Sequence, residues 1–274
     1  MLLSLALLAA TAADDPFQFQ DGDRVVWLGG TLIEREQESG HWEAALTVKN
    51  RPAKVTFRNL GWSGDTVWGD SRNGFDESPK GFERLVSLTT ELKPTVLIVC
   101  YGQNESFAGE AGLTKFRDGL NKLLDALAPT NARVVVVMPL SFEAPTVDLD
   151  AKNKQLARYA AVVMTTAEKR QLGCANLLLG AAALGLRLTD NGTHLTPEGY
   201  AHTATLFAGE QSVPEPLRQK IVAKNRLFFH RWRPQNETYL FGFRKHEQGK
   251  NAAEVAAFDP LVAAAEAEIW NLNK

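Results

Sequence analysis

Thr95-Val-Leu-Ile-Val-Cys100 and Arg133-Val-Val-Val-Val-Met138 decide how this chain folds. Both runs are β-branched and apolar without alternation, the pattern of a strand covered on both faces. Between them Gly112–Leu127 carries apolar positions at helical period, and Pro129 follows where a helix has just ended. The same alternation continues outward in both directions. Arg24–Leu28, Val55–Asn59 and the weaker Cys174–Leu179 are further strand candidates. Leu32–Val48, Gly81–Leu92, Asp150–Leu172 and Glu198–Phe207 read as helices. Strand–helix–strand order with short connections implies a parallel sheet with helices on both faces. The expected fold is therefore α/β: a three-layer α/β/α sandwich around a mostly parallel five-stranded sheet, spanning about residues 20–210.

From about Gln211 the pattern changes. Val213-Pro-Glu-Pro opens a helix expected to reach about Arg226, an irregular aromatic-basic stretch runs to Gly249, and Asp259–Leu272 closes as an Ala-rich helix. This C-terminal helical and irregular extension, residues 211–274, has too few core residues to stand alone and is expected to wrap on the main domain.

Composition excludes several function classes. Of 274 residues, 45% are hydrophobic and 23% charged, which rules out a disordered chain or a disulfide-stapled miniprotein. A net charge of −2 gives no global reason to bind nucleic acid or an anionic membrane. That balance hides an asymmetry: residues 218–250 carry +7 and the remainder −9. The aromatics and cations of the extension suit a strap held on the acidic domain by burial and ion pairs.

The N-terminus, Met-Leu-Leu-Ser-Leu-Ala-Leu-Leu-Ala-Ala-Thr-Ala-Ala, resembles the end of a secretory signal peptide cleaved near Ala12 or Ala13. Export to the periplasm or outside is the expectation, and the run is too short to span a bilayer. Cys100 and Cys174 are expected to sit on strands separated by another strand. Their backbones then lie roughly 9–10 Å apart, beyond disulfide reach.

In open parallel sheets ligands bind at the carboxyl ends of the strands. The residues there are Gly29-Gly30-Thr31, then Asn59-Leu-Gly61-Trp62-Ser63-Gly64-Asp65-Thr66, then Tyr101-Gly-Gln-Asn104-Glu105. Asp190-Asn191-Gly-Thr-His194-Leu195 precedes a late helix. Together they supply a hydroxyl, glycine N–H groups, an amide and an imidazole, the inventory that acyl transfer needs.

The order and spacing of these blocks resemble the SGNH (GDSL-type) hydrolase superfamily, over about Val25–Phe207. The tail from Lys224 to Tyr239 is similar to that of a bacterial subgroup of the same superfamily. The resemblance implies a flavodoxin-like SGNH fold and hydrolysis of a carboxylic ester, with an O-acetylated carbohydrate the favoured substrate and no cofactor or metal required. Carried over by position, Thr31 is the nucleophile, His194 the base, and Gly61 N–H and the Asn104 amide bind the oxyanion. Two positions depart from the pattern: threonine replaces the nucleophilic serine, and Asn191 stands where the acid orienting His194 belongs. Asp190 is one residue too early, yet a loop adjustment brings it to the ring; Asn191 orients the ring as an acceptor without charge. Gly30, Trp62, Ser63, Asp65 and Arg72 are expected to wall the substrate cleft. The expected partner is a small-molecule or polysaccharide ester, not nucleic acid. The two departures also suit an alternative, a weak or inactive carbohydrate-binding protein on the same fold.

Overall fold

A computed structural model of the chain describes residues 15–74, 76–143, 149–177, 187–248 and 251–274. β3 (Val96–Cys100) is buried at every position and lies at the centre of a five-stranded sheet. Around it stand β1 (Arg24–Gly29), β2 (Thr56–Asn59), β4 (Arg133–Met138) and β5 (Gly173–Asn176), in the order β2-β1-β3-β4-β5. Every pairing is parallel, with Val26 opposite Arg58 and Leu97, and Ile98 opposite Val135.

The unbroken apolar runs are explained by the two faces. Val25 and Trp27 join one buried cluster with Ile98 and Val135, while Val26 and Leu28 join another with Leu97, Val99 and Val136. On the first face lie α1 (Thr31–Ser39), α2 (His41–Lys49) and α6 (Pro197–Ala208). There Trp42 meets Phe207 at a centroid distance of 4.7 Å and Tyr200 at 5.2 Å. On the other lie α3 (Ser78–Glu91), α4 (Leu113–Leu127) and α5 (Asp150–Arg170), which contribute Leu85, Phe116, Leu120, Leu123, Tyr159 and Val163. Each large apolar side chain so buried stabilises the fold by about 1.5–3 kcal/mol.

One helix was expected over Leu32–Val48. The chain instead breaks at Gly40, whose φ of 67° ends α1 and re-aims α2. The fifth strand stops at Asn176, and residues 178 and 179 of its expected span lie outside the described residues, as does the expected export segment. No described helix is long and apolar enough to cross a membrane. Both cysteines are free, and β4 runs between their strands.

In the C-terminal region α7 (Glu215–Trp232) runs on past Arg226, and α8 (Phe258–Leu272) packs along it. Leu217 and Ile221 of α7 and Ile269 of α8 form an apolar seam with Ala44 of α2. Beside it Lys224 Nζ lies 2.7 Å from Glu43 Oε1, and Asn225 Nδ2 donates to Glu43 Oε2 at 3.0 Å. Arg58 of β2 pairs with Glu266 of α8. Three further cations pair within the region itself: Arg218 with Glu215, Lys220 with Glu268, and Arg231 with Asp259.

Candidate active site

Because β2 and β3 flank β1 on opposite sides, the carboxyl ends of β1 and β3 open a crevice at the topological switch point. β1 delivers Gly29 there. Gly30 is the cap residue of α1, and Thr31 is its first helical residue. No side-chain bond caps the helix; Thr31 is half-buried and its Oγ1 accepts from Gly64 N–H at 3.4 Å. Asn104, just after β3, donates from Nδ2 to the Asp65 carbonyl at 2.8 Å, and a Cβ on Gly30 would lie 3.2 Å from that Nδ2. Three loops from three strands thus converge on one point. They line a pocket of about 20 Å³ together with Tyr101, Gln103, Pro139 and Leu140, room for about one water-sized group.

A buried polar frame fixes these loops. Arg72 Nε bonds Asp65 Oδ2 at 2.7 Å and Nη2 bonds the Leu60 carbonyl at 2.6 Å, while Tyr101 Oη donates to the same Asp65 oxygen at 3.1 Å. The side chains of Arg72 and Asp65 are both fully buried and hold the loop; Arg72 lines neither the small pocket nor the neighbouring cleft, whereas Asp65 is among the residues lining the small pocket. Glu105 accepts from Val67 N–H at 2.9 Å and Gly102 N–H at 2.8 Å, tying the loop after β2 to the loop after β3. Burial raises its carboxyl to about 7.

Gly61 does not supply the expected oxyanion donor. Its N–H is committed to Asn59 Oδ1 at 2.8 Å, and a Cβ there would come within 2.3 Å of Glu34 N. Its place is filled by α1, and a glycine is needed for that close approach. The amide that faces Thr31 is Gly64's. The sequence expectation named Gly61 alone and missed Gly64, three residues on in the same block; only the direction of the N–H separates them.

The histidine loop stands on the other side. Glu143 holds it, accepting from Leu188 N–H at 3.0 Å, Thr189 N–H at 2.8 Å and Thr189 Oγ1 at 2.7 Å. Within it Asn191 Nδ2 lies 3.0 Å from His194 Nδ1. Asp190 turns away from the ring: its carboxylate faces Arg35 Nη2 at 3.5 Å, and no ion pair joins it to His194. Among the described residues no hydrogen bond links Thr31 to His194, and His194 is not part of the lining of the small pocket. Partial burial, with Arg35 close by, lowers the His194 pKa, and Asp190 offsets this in part. The imidazole is therefore neutral at pH 7.

The C-terminal region reaches the site. Arg233 places its guanidinium 3.7 Å from the Trp62 ring centroid and pairs with Glu34 Oε1 at 2.9 Å, while the other Glu34 oxygen accepts from Ser63 N–H. Trp62 is covered by Arg233 on its ring and by Trp232 at 5.8 Å. Ser63 stays exposed and lines a cleft of about 160 Å³ with Glu34, Arg35, Glu38, Arg226 and Phe229. The aromatic-basic composition pointed to a strap but not to Arg233 or its partner, and Glu143 carried no local signal, because each acts on a segment far from it along the chain.

The model of the GDSL-like lipase/acylhydrolase family matches residues 22–202. No curated protein matches the sequence. Among solved structures the chain is similar to an α/β hydrolase from the metagenome of Lake Arreo, Spain, at 17% identity over 72% of this chain and 100% of that one, with a TM-score of 0.56. It is similar to a catalytic mutant of Axe2, an acetylxylan esterase from Geobacillus stearothermophilus, at 16% identity over 72% of this chain and 99% of that one, TM-score 0.56. It is also similar to the acetyl xylan esterase AlAXEase, at 14% identity over 67% of this chain and 96% of that one, TM-score 0.54. At such identities the structural likeness speaks to the fold, and the family match covers well over half of the chain. With its parallel sheet and its Thr31, Gly64, Asn104 and His194 blocks in order, the chain belongs to the GDSL-like lipase/acylhydrolase family, a family of ester hydrolases.

Proposed function

We propose that the chain removes a small acyl group, acetyl above all, from a hydroxylated alcohol such as a sugar, with Thr31 as the attacking residue. The observation that carries this reading is the convergence on Thr31 Oγ1 of Gly64 N–H, at 3.4 Å, beside the Asn104 amide. Thr31 Oγ1 bonds to the acyl carbon, and Gly64 N–H and Asn104 Nδ2 stabilise the oxyanion. His194 takes the hydroxyl proton and returns it to the departing alkoxide; water then attacks the acyl-enzyme and releases the acid. A pocket of about 20 Å³ beside Thr31 suits a methyl-sized acyl tail. The neighbouring cleft, with Arg226, Glu38 and the Phe229 face, suits a hydroxylated ring. Two of the structural neighbours are named as acetylxylan esterases, which supports the same substrate class. The apolar N-terminal run supports a reaction outside the cytoplasm.

The threonine methyl restricts χ1 and crowds attack, so turnover is expected to be slow. Purified protein is assayed with p-nitrophenyl acetate and acetylated xylan beside Thr31→Ala and Thr31→Ser. Loss of turnover in Thr31→Ala and a gain in Thr31→Ser support the reading. Equal rates for wild type and Thr31→Ala refute it. A second reading, recognition of an ester without turnover, is favoured by the missing Thr31–His194 hydrogen bond and is supported if neither wild type nor Thr31→Ser turns over.

A further inference from the structure

Asn191 stands where the ring of His194 calls for an acceptor, yet it turns its donating end to the ring. Asn191 Oδ1 lies 3.1 Å from Thr193 N, 3.0 Å from Thr193 Oγ1 and 3.0 Å from His194 N. Two of these partners are backbone N–H groups, which can only donate. Exchanging the amide oxygen and nitrogen would set an NH2 group against both, so the orientation of the amide follows from its surroundings.

With Oδ1 committed, Nδ2 is the atom that meets His194 Nδ1 at 3.0 Å. An amide NH2 only donates, so Nδ1 accepts and the ring proton resides on Nε2. We infer that Asn191 is a positioning residue that holds resting His194 as the Nε2–H tautomer, so that the ring presents a hydrogen-bond donor to the site instead of a base.

The surroundings leave the loop little freedom to escape this arrangement. Glu143 N donates to the Gly192 carbonyl at 2.9 Å, and Gly192 N donates to Thr189 Oγ1 at 3.1 Å, directly beside Asn191. The charged groups near the ring are Arg35, which cannot accept, and Asp190, whose carboxylate faces Arg35. For His194 to take a proton at Nε2, its existing proton must first move to Nδ1, which breaks the Asn191 bond. The site is thus held in a low-activity state by one amide. This inference rests on the ester-hydrolase reading for its catalytic consequence, but the tautomer itself does not depend on turnover.

The test uses the full chain labelled with 15N at its 5 histidines, with His194→Gln to assign the His194 signals. At pH 8 the wild-type spectrum should show His194 Nδ1 as the unprotonated nitrogen and Nε2 as the protonated one. In Asn191→Asp one carboxylate oxygen keeps the Thr193 and His194 N–H groups, and the other accepts from Nδ1–H. The two nitrogen signals should therefore exchange character. Turnover of p-nitrophenyl acetate should rise at least tenfold, against the factor of about 10⁴ lost when the reverse change is made in a serine-protease triad. A protonated Nδ1 in the wild type overturns the inference, as does an Asn191→Asp spectrum with the wild-type pattern. If the signals exchange but no variant hydrolyses ester, the tautomer assignment stands and the ester reading fails. Asn191→Ala, which removes the donor without adding an acceptor, should give a mixture of tautomers; an unchanged spectrum there also overturns the role of Asn191.

Discussion

Replacing Lys224 by Met tests how the C-terminal region is held. Lys224 Nζ lies 2.7 Å from Glu43 Oε1, and both side chains are almost wholly buried, at 1% and 6% exposure. Burial pushes the Lys224 pKa down and the Glu43 pKa up, which means that each charge has lost much hydration and depends on the other. Met keeps the length and volume of the side chain but removes the ammonium. Glu43 then keeps only Asn225 as a side-chain donor, at 3.0 Å. The Phe57 carbonyl, also bonded to Lys224, retains the Arg58 guanidinium at 2.9 Å, so no second polar group is orphaned. Removing one partner of such a pair costs about 3–5 kcal/mol, a large share of the total stability of a domain. Glu43→Gln in the Lys224→Met background removes the uncompensated charge and keeps an acceptor for Asn225, so at least about 2 kcal/mol should return. Urea unfolding at pH 8 measures both variants, with midpoints compared at unchanged m. A cost below about 1 kcal/mol for Lys224→Met would refute the reasoning, because it would mean the charge is not desolvated. So would a double variant no more stable than the single one.

The two glycines of the loop after β2 should separate stability from chemistry. Gly61→Ala drives a Cβ to within 2.3 Å of Glu34 N and should lower stability by at least about 1–3 kcal/mol. Gly64→Ala, at φ 77° with only Ser71 Oγ near, strains the donor facing Thr31 and should cut kcat by about 10²-fold with a smaller loss of Tm; a kcat effect confined to Gly61→Ala would reverse the two roles. Glu105 gives the pH dependence. Burial raises its carboxyl from the usual 4.5 to about 7, so the folded chain binds the proton more tightly than the unfolded one. Its contribution is therefore most favourable below pH 4.5 and is lost as pH rises through about 7, by roughly 3 kcal/mol. Relative to Glu105→Gln, wild type should lose about that much between pH 5 and pH 8 in denaturant titrations; a constant difference would show that Glu105 titrates normally.

Much of this architecture is legible in the chain because the signals are local. Thr95–Cys100 and Arg133–Met138 read as doubly covered strands, and they form β3 at the centre of the sheet and β4 paired beside it. Thr31 and Asn104 were identifiable because each follows a strand directly, and the sheet's topology does the rest. The break at Gly40 was not identifiable, since the apolar positions on either side keep helical period across it. Arg72 reads as a cleft residue because it stands just after the block that follows β2. Its partner Asp65 is seven residues away, and only the fold of the intervening turn buries the two together. The orientation of Gly61 and Gly64 depends on backbone dihedrals, which residue type does not specify at a glycine.

The sequence by itself determined the layer order, the parallel sheet and the inventory of groups at its carboxyl edge, because apolar period and strand-end position are properties of neighbouring residues. The tertiary structure decided what those groups can do. It turned the Gly64 N–H toward Thr31, paired the Asp190 carboxylate with Arg35, set Asn191's NH2 against the imidazole, and brought Arg233 from the far end of the chain onto Trp62. Each of these rests on the direction of a donor or acceptor between segments remote in sequence, and direction exists only once the backbone has been placed.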